Sequence, residues 1–257
     1  MPGGSKLKRI VVGLGNPGSR YEKSRHNIGW MVLDRLADRL GVGGRAKSRD
    51  AAATVRGRIG DDEILLVKPT TYMNRSGEAV RKALARERVP LAELLVVVDD
   101  MALPFGRLRM RGKGSHGGHN GLRSITAEMG TDRYARLRIG IGEAPRGAVE
   151  HVLGDFATAE QADLDVVLDA AADAVETWIR SGPDVAANRW NAWTPDLPEV
   201  GSIDAQDAPG RASAPADVSG APPAEASEPD ADGVVRTKTG WRRLLPERLR
   251  GDAGDER

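Results

Sequence analysis

Two patterns of apolar residues run along the first 194 residues of the chain. Consecutive or alternating apolar residues are typical of strands, and apolar residues three or four positions apart are typical of amphipathic helices. The first pattern predicts six strands, at 8–14, 51–58, 63–67, 94–98, 107–111 and 136–141. The second predicts five helices, at 28–40, 76–87, 122–129, 159–179 and 184–190. Strands that alternate with helices in this way indicate an α/β fold.

The turn at Gly60 and Asp61 adds a detail to this fold. It joins two neighbouring predicted strands directly, which indicates an antiparallel hairpin, so the sheet is expected to be mixed rather than purely parallel. We therefore predict a single α/β domain over residues 1–194, with a twisted mixed β-sheet flanked by helices.

The pattern stops at residue 195. From there to about residue 233 the chain is dominated by Pro, Ala, Gly, Ser and Asp, with too few large apolar residues to offset chain entropy. We predict that residues 195–257 form a disordered acidic extension. Its end, T-G-W-R-R-L-L-P-E-R-L-R at 239–250, is basic and amphipathic, but Pro246 and its short length argue against a stable isolated helix.

Charge is divided unevenly between these two parts. The extension has 8 Lys or Arg and 13 Asp or Glu, a net charge of −5, which leaves about +6 on residues 1–194. A basic domain is compatible with a polyanionic partner. The chain has no cysteine, so disulfides, thiolate metal sites and cysteine nucleophiles are excluded. It has neither an apolar segment of membrane-spanning length nor a signal-peptide core, and we expect a cytoplasmic protein with no membrane partner.

The glycine-rich run G-L-G-N-P-G at 13–18 matches the dinucleotide-binding pattern G-x-G-x-x-G after a strand. In dinucleotide-binding folds the third glycine opens the helix that holds the pyrophosphate. Here the polar loop 19–27 intervenes, and Asp34 lies inside the next predicted helix rather than at the end of a second strand. A nucleotide site is therefore not favoured, and no cofactor is expected.

Five polar residues lie just past predicted strand ends, where α/β sheets place their reactive groups. A histidine accepts a proton from water, a carboxylate orients and stabilises the imidazole, and asparagine amides orient a carbonyl or stabilise an oxyanion. No serine or threonine stands in a nucleophile-elbow setting, so the set indicates a hydrolase in which water attacks. The five residues are Asn16, His26, Asn74, Asp99 and Asn120.

The histidines at 116 and 119 offer a metal site as an alternative. A metal site needs a third ligand, and the surrounding glycines indicate a turn packed against backbone. We favour a structural role for His116 and a positioning role for His119, and we expect no metal.

Five motifs in order resemble those of bacterial peptidyl-tRNA hydrolases, over a stretch from about Lys8 to Trp193. They are G-L-G-N-P-G, Y-E-x-x-R-H-N-x-G, K-P-x-T-Y-M-N-x-S-G, G-x-H-G-G-H-N-G-L and R-L-R-I-G-I-G. The resemblance implies hydrolysis of the ester that joins a peptide to the 3′-terminal ribose of tRNA, which recycles tRNA from aborted translation. It also implies a single α/β domain, monomeric, with a mobile flap over the cleft and peptidyl-tRNA as the partner.

The resemblance also implies site roles. His26 is the base that activates water, Asp99 keeps it oriented, and Asn16 contacts the peptide end and helps to discriminate blocked from free aminoacyl groups. Four residues contact the tRNA or the peptide near the ester: Tyr21, Tyr72, Asn74 and Asn120. His119 and Met73 line the pocket.

Two positions depart from the family pattern. Ala102 stands where a second acidic residue is common, which puts a role for that carboxylate in doubt, and Ser115 stands where glycine is usual. A catalytically inactive RNA-binding module that uses the same cleft and basic face remains an alternative. The extension inherits no function from the resemblance; its charge leads to the hypothesis that it competes with tRNA for the basic face, so that its deletion lowers KM at low salt.

Overall fold

A computed structural model describes residues 8–144 and 147–195. Its strands are β1 Lys8–Gly13, β2 Lys47–Arg49, β3 Ala52–Ile59, β4 Asp62–Pro69, β5 Leu94–Asp100, β6 Leu108–Arg111 and β7 Ala135–Gly140. Its α-helices are α1 Ile28–Arg39, α2 Ser76–Glu87, α3 Asn120–Met129, α4 Ala148–Leu153 and α5 Thr158–Trp190.

The seven strands form one mixed sheet in the order β2-β3-β4-β1-β5-β7-β6. The four central strands are parallel, and β2, β3 and β6 pair antiparallel at the two sides. The predicted fold class and the predicted hairpin between β3 and β4 are confirmed. Because β1 lies between β4 and β5, the loops that follow β1 and β5 leave from adjacent strands at the same edge of the sheet.

Both faces of the sheet are covered. Val11 of β1 belongs to a cluster with residues of α1 and α5, whereas Ile10 and Val12 point to a second cluster with residues of α2 and α3. Strands covered on both faces read as unbroken apolar runs, and this explains why the runs at 8–14 and 94–98 were recognisable in the sequence.

Three elements differ from the prediction. The edge strand β2 reads K-S-R and carries no apolar signal, and α4 is a six-residue helix too short for a periodic pattern. The predicted helices 159–179 and 184–190 are both helical but fall in one element, α5, which breaks at Gly182 with φ 81° before Pro183. The separation into two helices therefore has a physical basis, because proline cannot continue the hydrogen-bond pattern of the preceding turn.

The predicted domain boundary, residue 194, lies one residue before Pro195, the last residue that the structure describes. An added Cβ at Gly106 would stand 2.9 Å from Pro195 Cγ and 2.9 Å from Val167 Cγ2, so Pro195 packs against the side of α5. The predicted extension, with its basic amphipathic end, lies outside the described residues apart from Pro195.

Glu87 of α2 pairs with two cations of the sheet and with one of its own helix, and it provides a test of the fold's electrostatics. Its carboxylate pairs with Lys8, with Arg56 at 2.6 Å and with Arg86 at 2.9 Å. Burial raises the pKa of Glu87, but the hydrogen bonds from Lys8, Arg56 and Arg86 lower it to about 2. Because the folded pKa lies below the unfolded one, the carboxylate stabilises the fold above about pH 4.5, and this contribution is lost as the pH falls towards 2.

We expect Glu87→Gln to be less stable than the parent chain at pH 7, by an amount on the order of 3 kcal/mol. The difference in unfolding free energy should shrink between about pH 4.5 and pH 2. Urea denaturation of both chains across this range measures it, with Glu78→Gln, at a more exposed ion pair, as the control. A difference that stays constant with pH would contradict the assignment.

Candidate active site

Two glycines bring the start of α1 onto the end of β1. A Cβ at Gly13 would stand 2.2 Å from the Gly29 carbonyl oxygen, and a Cβ at Gly29 would stand 2.4 Å from the Val97 carbonyl oxygen. No side chain fits either gap, so these glycines serve close backbone approach. The 3-10 turn Arg25–Asn27 immediately before α1 is thereby held against the carboxyl ends of β1 and β5.

The base candidate His26 lies in this turn and contacts Asp99 on β5. Its Nδ1 is 2.8 Å from Asp99 Oδ1, and Asp99 is only 2% exposed. Burial raises the pKa of Asp99, but the charges and hydrogen bonds of His119 and His26 lower it well below its usual value. The carboxylate is therefore ionised at neutral pH and accepts a hydrogen from Nδ1, which leaves Nε2 of His26 as the proton acceptor.

His119 contacts the same carboxylate oxygen from a second side. Its Nε2 is 3.0 Å from Asp99 Oδ1, while its Nδ1 accepts hydrogen bonds from the backbone N–H groups of Gly121 and Leu122, at 3.1 and 3.3 Å. As the N-cap of α3, Nδ1 must carry a lone pair, so the hydrogen lies on Nε2 and is donated to Asp99. The two imidazole rings lie 5.0 Å apart. The helix cap thus fixes the tautomer of His119, in keeping with the predicted positioning role.

The three residues also form a potential ligand set. Among the described residues, His26, Asp99 and His119 bring one ligand atom each to within 4.8 Å of the others. The nitrogen atoms that would face a cation are the ones that donate to Asp99, so a metal would have to replace both hydrogen bonds. The donors and the acceptor are matched to one another, and the geometry supports a hydrogen-bonded chain. His116, the other candidate, accepts a hydrogen bond from the Gly118 N–H in its own turn, at 3.1 Å, which agrees with a structural role.

Asn16 is fixed by three hydrogen bonds. Its Oδ1 accepts a hydrogen bond from the Met73 N–H at 2.9 Å, so its Nδ2 remains as the donor that a substrate can meet. Asn27, next to the base, binds both polar backbone groups of Asn16: the Asn16 N–H donates to Asn27 Oδ1 at 2.7 Å, and Asn27 Nδ2 donates to the Asn16 carbonyl at 3.0 Å. The loop after β1 and the turn with His26 are thus one rigid unit.

The other predicted substrate residues lie on the exposed rim. Tyr72 is 49% exposed, and Asn74 and Asn120 line one shallow groove of about 300 Å³ between α2 and α3. Asn120 Oδ1 accepts a hydrogen bond from Arg123 at 2.6 Å, which turns its amide nitrogen away from that arginine. Tyr21 is half-buried and contacts Arg20; within the described ranges no hydrogen bond links its side chain to His26 or Asp99.

Two residues that sequence reasoning missed anchor this site. Asn27 is one, and Arg25 is the other: its guanidinium pairs bidentately with Glu160, at 2.9 and 2.7 Å, and lies over the Phe156 ring. Both flank His26 in the sequence, but asparagine and arginine are usually exposed, and only burial at 1% and 8% reveals their role.

The two departures from the family pattern fall in backbone turns. The Ala102 N–H donates to Asp100 Oδ1 at 2.9 Å, while Asp100 Oδ2 pairs with Arg138 at 3.1 Å. The Ser115 carbonyl accepts a hydrogen bond from Arg138 at 3.0 Å. Both oxygens of Asp100 are thus hydrogen-bonded within the domain, one of them to the arginine that binds the glycine-rich loop. Asp100 therefore does not take the place of an acidic residue at position 102.

Charge alone predicts phosphate contacts for seven basic residues, at positions 107, 109, 111, 113, 133, 136 and 138, and the structure divides them into two sets. Arg107 donates to the carbonyls of Trp193 and Asn191, Arg136 is 1% exposed and donates to loop carbonyls, and Arg138 is paired as described. For these three the expectation is wrong, because each guanidinium is used inside the domain. Those that remain exposed are Arg109, Arg111, Lys113 and Arg133.

The mixed sheet and the imidazole–carboxylate group at the carboxyl ends of its parallel strands together define a class, an α/β protein with a histidine–aspartate site at the edge of its sheet. Comparisons with known proteins specify it. A family model described as peptidyl-tRNA hydrolase matches residues 10–198. The chain belongs to the peptidyl-tRNA hydrolase family.

Individual relatives agree with this assignment. A peptidyl-tRNA hydrolase from Parasynechococcus marenigrum (strain WH8102) is 47% identical over 194 residues, which cover 73% of this chain and 96% of the relative. One from Mycobacterium ulcerans (strain Agy99) is 43% identical, covering 72% of this chain and 97% of the relative. The crystal structure of peptidyl-tRNA hydrolase from Acinetobacter baumannii superposes with a TM-score of 0.68 at 35% identity, covering 75% of this chain and 100% of that one.

Proposed function

We propose that this chain hydrolyses the ester between the peptide and the 3′-terminal ribose of peptidyl-tRNA, with His26 activating the attacking water. The observation that carries the proposal is the 2.8 Å contact between His26 Nδ1 and the buried Asp99 carboxylate, beside the amide of Asn16. Family membership supports the reaction class, and this geometry supports the roles of the residues.

In the proposed reaction one proton moves from water to His26 and from there to the ribose oxygen. Water oxygen attacks the ester carbonyl carbon while one of its protons passes to His26 Nε2, and Asp99 stabilises the imidazolium that forms. The carbonyl oxygen becomes an oxyanion, to which Asn16 Nδ2 is available as a donor. Collapse of the tetrahedral intermediate expels the ribose 3′-oxygen, which takes the proton back from His26. The products are a peptide with a free carboxylate and a tRNA with a free 3′-hydroxyl.

The rim residues fit the two ends of such a substrate. The buried Asn16 is assigned to the amide of the peptide, and Tyr72 on the rim offers an exposed ring for a base or ribose. Asn74 and Asn120, in their shared groove, are assigned to contacts with the tRNA end or the peptide. The buried Met73, and His119 beside Asp99, are assigned to the pocket wall. For Tyr21 a substrate contact stays a prediction from the resemblance.

The function is tested by incubating the full chain with N-acetyl-aminoacyl-tRNA and, in parallel, with free aminoacyl-tRNA. Release from the blocked substrate alone is the expected result. The Asn16 side chain is expected to bind the amide of the blocked substrate, and free aminoacyl-tRNA has a charged amine in place of that amide. Binding of both without release would favour the alternative, an RNA-binding module without catalysis. Equal release from both would contradict the discriminating role of Asn16.

Substrate binding is expected to depend on salt. If Arg109, Arg111, Lys113 and Arg133 meet phosphates, each contact contributes about 0.7–0.9 to the slope of log KM against log salt. Raising monovalent salt from about 50 to 200 mM should then raise KM by about 50- to 150-fold and change kcat by less than about twofold.

A variant pair assigns this effect to the exposed set. Arg111→Gln should reduce the salt slope by about one, whereas Arg49→Gln, exposed on the edge strand β2 at the other side of the sheet, should leave it unchanged. Steady-state KM values at four salt concentrations measure both slopes. A KM that does not change with salt would count against this surface as the tRNA contact.

In the described ranges no helix combines the length and apolarity needed to cross a membrane. A monomeric state, action in the cytoplasm and a domain boundary at 194 remain part of this proposal. Gel filtration of the full chain with multi-angle light scattering tests the first of them.

A further inference from the structure

A second groove lies at the opposite end of the sheet from His26. It has a volume of about 470 Å³ and is lined where β1 and β4 begin, where β3 ends and where the chain leaves α1. Since β1 has six residues, its two ends lie about 20 Å apart at ~3.3 Å per residue. This amino-end groove takes no part in the proposed reaction.

The walls of the amino-end groove are cationic. They include Lys8, Arg45, Arg56 and Arg58, against a single carboxylate, Glu63. Lys8 and Arg56 share the buried Glu87, but no carboxylate of the described residues pairs with Arg45 or Arg58. The groove therefore carries positive charge that the rest of the domain leaves uncompensated, and it favours an anionic occupant.

The floor of the amino-end groove is apolar. Leu40 is half-buried, and Val42 and Ile64 are 8% and 2% exposed. The half-buried Gly57 adds no side chain of its own, and the side chains of Leu40 and Ile64 lie against it. An occupant with acidic groups next to small branched apolar side chains matches both walls and floor.

Two stretches of the extension combine four carboxylates with branched apolar side chains, 196–207 and 225–235, and only the second has two valines side by side. Residues 225–235 read E-A-S-E-P-D-A-D-G-V-V, with four carboxylates, no cation and two adjacent valines. The wider stretch 196–235 has nine Asp or Glu and a single arginine, Arg211. We propose that residues 225–235 bind in the amino-end groove of their own chain, with the carboxylates at the arginines and the valines on the apolar floor.

Chain length allows this contact. The described chain ends at Pro195 beside α5, and the 30 residues from there to Glu225 reach as far as about 100 Å when extended. A tethered segment has an effective concentration in the millimolar range, so weak electrostatic affinity suffices. The contact should weaken with salt, because Arg45 and Arg58 are exposed.

A rival site for the same segment is the groove of about 630 Å³ lined by Arg111, Lys113 and Arg133. It contains Asp184, and its neutral lining is Gly112, Ala187 and Asn191 with only Met110 as a large apolar side chain. It lacks the branched apolar floor that two valines would need. When the acidic segment occupies the amino-end groove, it stays away from the rival groove, whose basic residues we have proposed for tRNA phosphates.

The absence of cysteine makes a direct test simple, because Ser227→Cys creates a unique thiol for a nitroxide label. In ¹⁵N spectra of the full chain, we expect the oxidised label to remove at least half of the amide signal of Gly57 and Ile64, and to spare Gly112 and Ala187. A label at Ser213→Cys, among uncharged neighbours, should spare all four.

Charge reversal then identifies the wall. Arg45→Glu with Arg58→Glu should restore the lost signals, and so should about 0.5 M salt, whereas Arg111→Glu with Arg133→Glu should leave them lost. If the charge reversal lowers Tm, Arg45→Gln with Arg58→Gln replaces it, because this pair removes the two charges without reversing them. Loss of signal at Gly112 and Ala187 would place the segment on the tRNA face and overturn the proposal. A label that leaves the Gly57 and Ile64 signals unaffected would also overturn it. If an added RNA oligonucleotide then perturbed these two signals, the occupant of the groove would be RNA.

Discussion

Replacing His26 with alanine lowers the rate of hydrolysis of N-acetyl-aminoacyl-tRNA by about 10²- to 10⁴-fold, the usual contribution of general acid–base catalysis. The physical reason is the loss of Nε2, the atom that Asp99 leaves unprotonated by accepting the hydrogen from Nδ1. Affinity for tRNA stays within about twofold, because the phosphate contacts lie on other residues. Single-turnover rates with enzyme in excess, together with filter binding of the same tRNA, separate the two effects.

The chain offers a matched control in His116→Ala. This histidine caps its own turn through the Gly118 N–H and has no contact with Asp99 in the described structure. Its removal should change the single-turnover rate by only a few-fold. Near-normal turnover in His26→Ala, or an equal loss in both variants, would end the assignment of His26 as the base.

Replacing Asp99 with asparagine is expected to lower the same rate by about 10²- to 10⁴-fold with little change in fold. An asparagine fills the same space and still offers one oxygen to His26 and His119, but it lacks the negative charge that stabilises an imidazolium. It also presents an amide N–H₂ that accepts nothing, so the His26 tautomer is no longer imposed. Ring ¹⁵N spectra report the tautomer, and single-turnover rates report the chemistry.

A second variant separates charge from packing at this carboxylate. His119→Ala removes one donor to Asp99 but keeps the 2.8 Å contact with His26. It should therefore cost much less activity than Asp99→Asn and should leave the Nδ1–H form of His26 in place. If Asp99→Asn kept near-parental activity, Asp99 would be a structural residue and His26 would act without it.

The sheet was predictable because its central strands are buried on both faces and so appear as unbroken apolar runs. The helices that cover it carry clear helical periodicity. By contrast, β2 and α4 depend on neighbours: K-S-R pairs as a strand only because β3 is beside it, and α4 has only six residues. Tertiary contacts decide such short elements, and a sequence pattern does not contain them.

The site was predictable as a set of residue types at strand ends, but its detailed geometry was not. The clamp of Asn27 on Asn16 and the capping of α3 by His119 arise from approaches that Gly13 and Gly29 allow in three dimensions. For the same reason the sequence does not separate the basic residues that are bound inside the domain from those that are exposed. Composition marks Arg107 and Arg136 as cations, whereas only the fold shows the carbonyls that they bind.

The central claim is that water, activated by His26, attacks the ester directly. It is tested most directly in a single turnover with enzyme in excess over N-acetyl-aminoacyl-tRNA in H₂¹⁸O, quenched with acid at several times and analysed by mass spectrometry. The account predicts that the released N-acetyl-amino acid carries one ¹⁸O and that the mass of the protein is unchanged at every time. A protein species heavier by the acyl group would contradict it, as would bound substrate that is never hydrolysed.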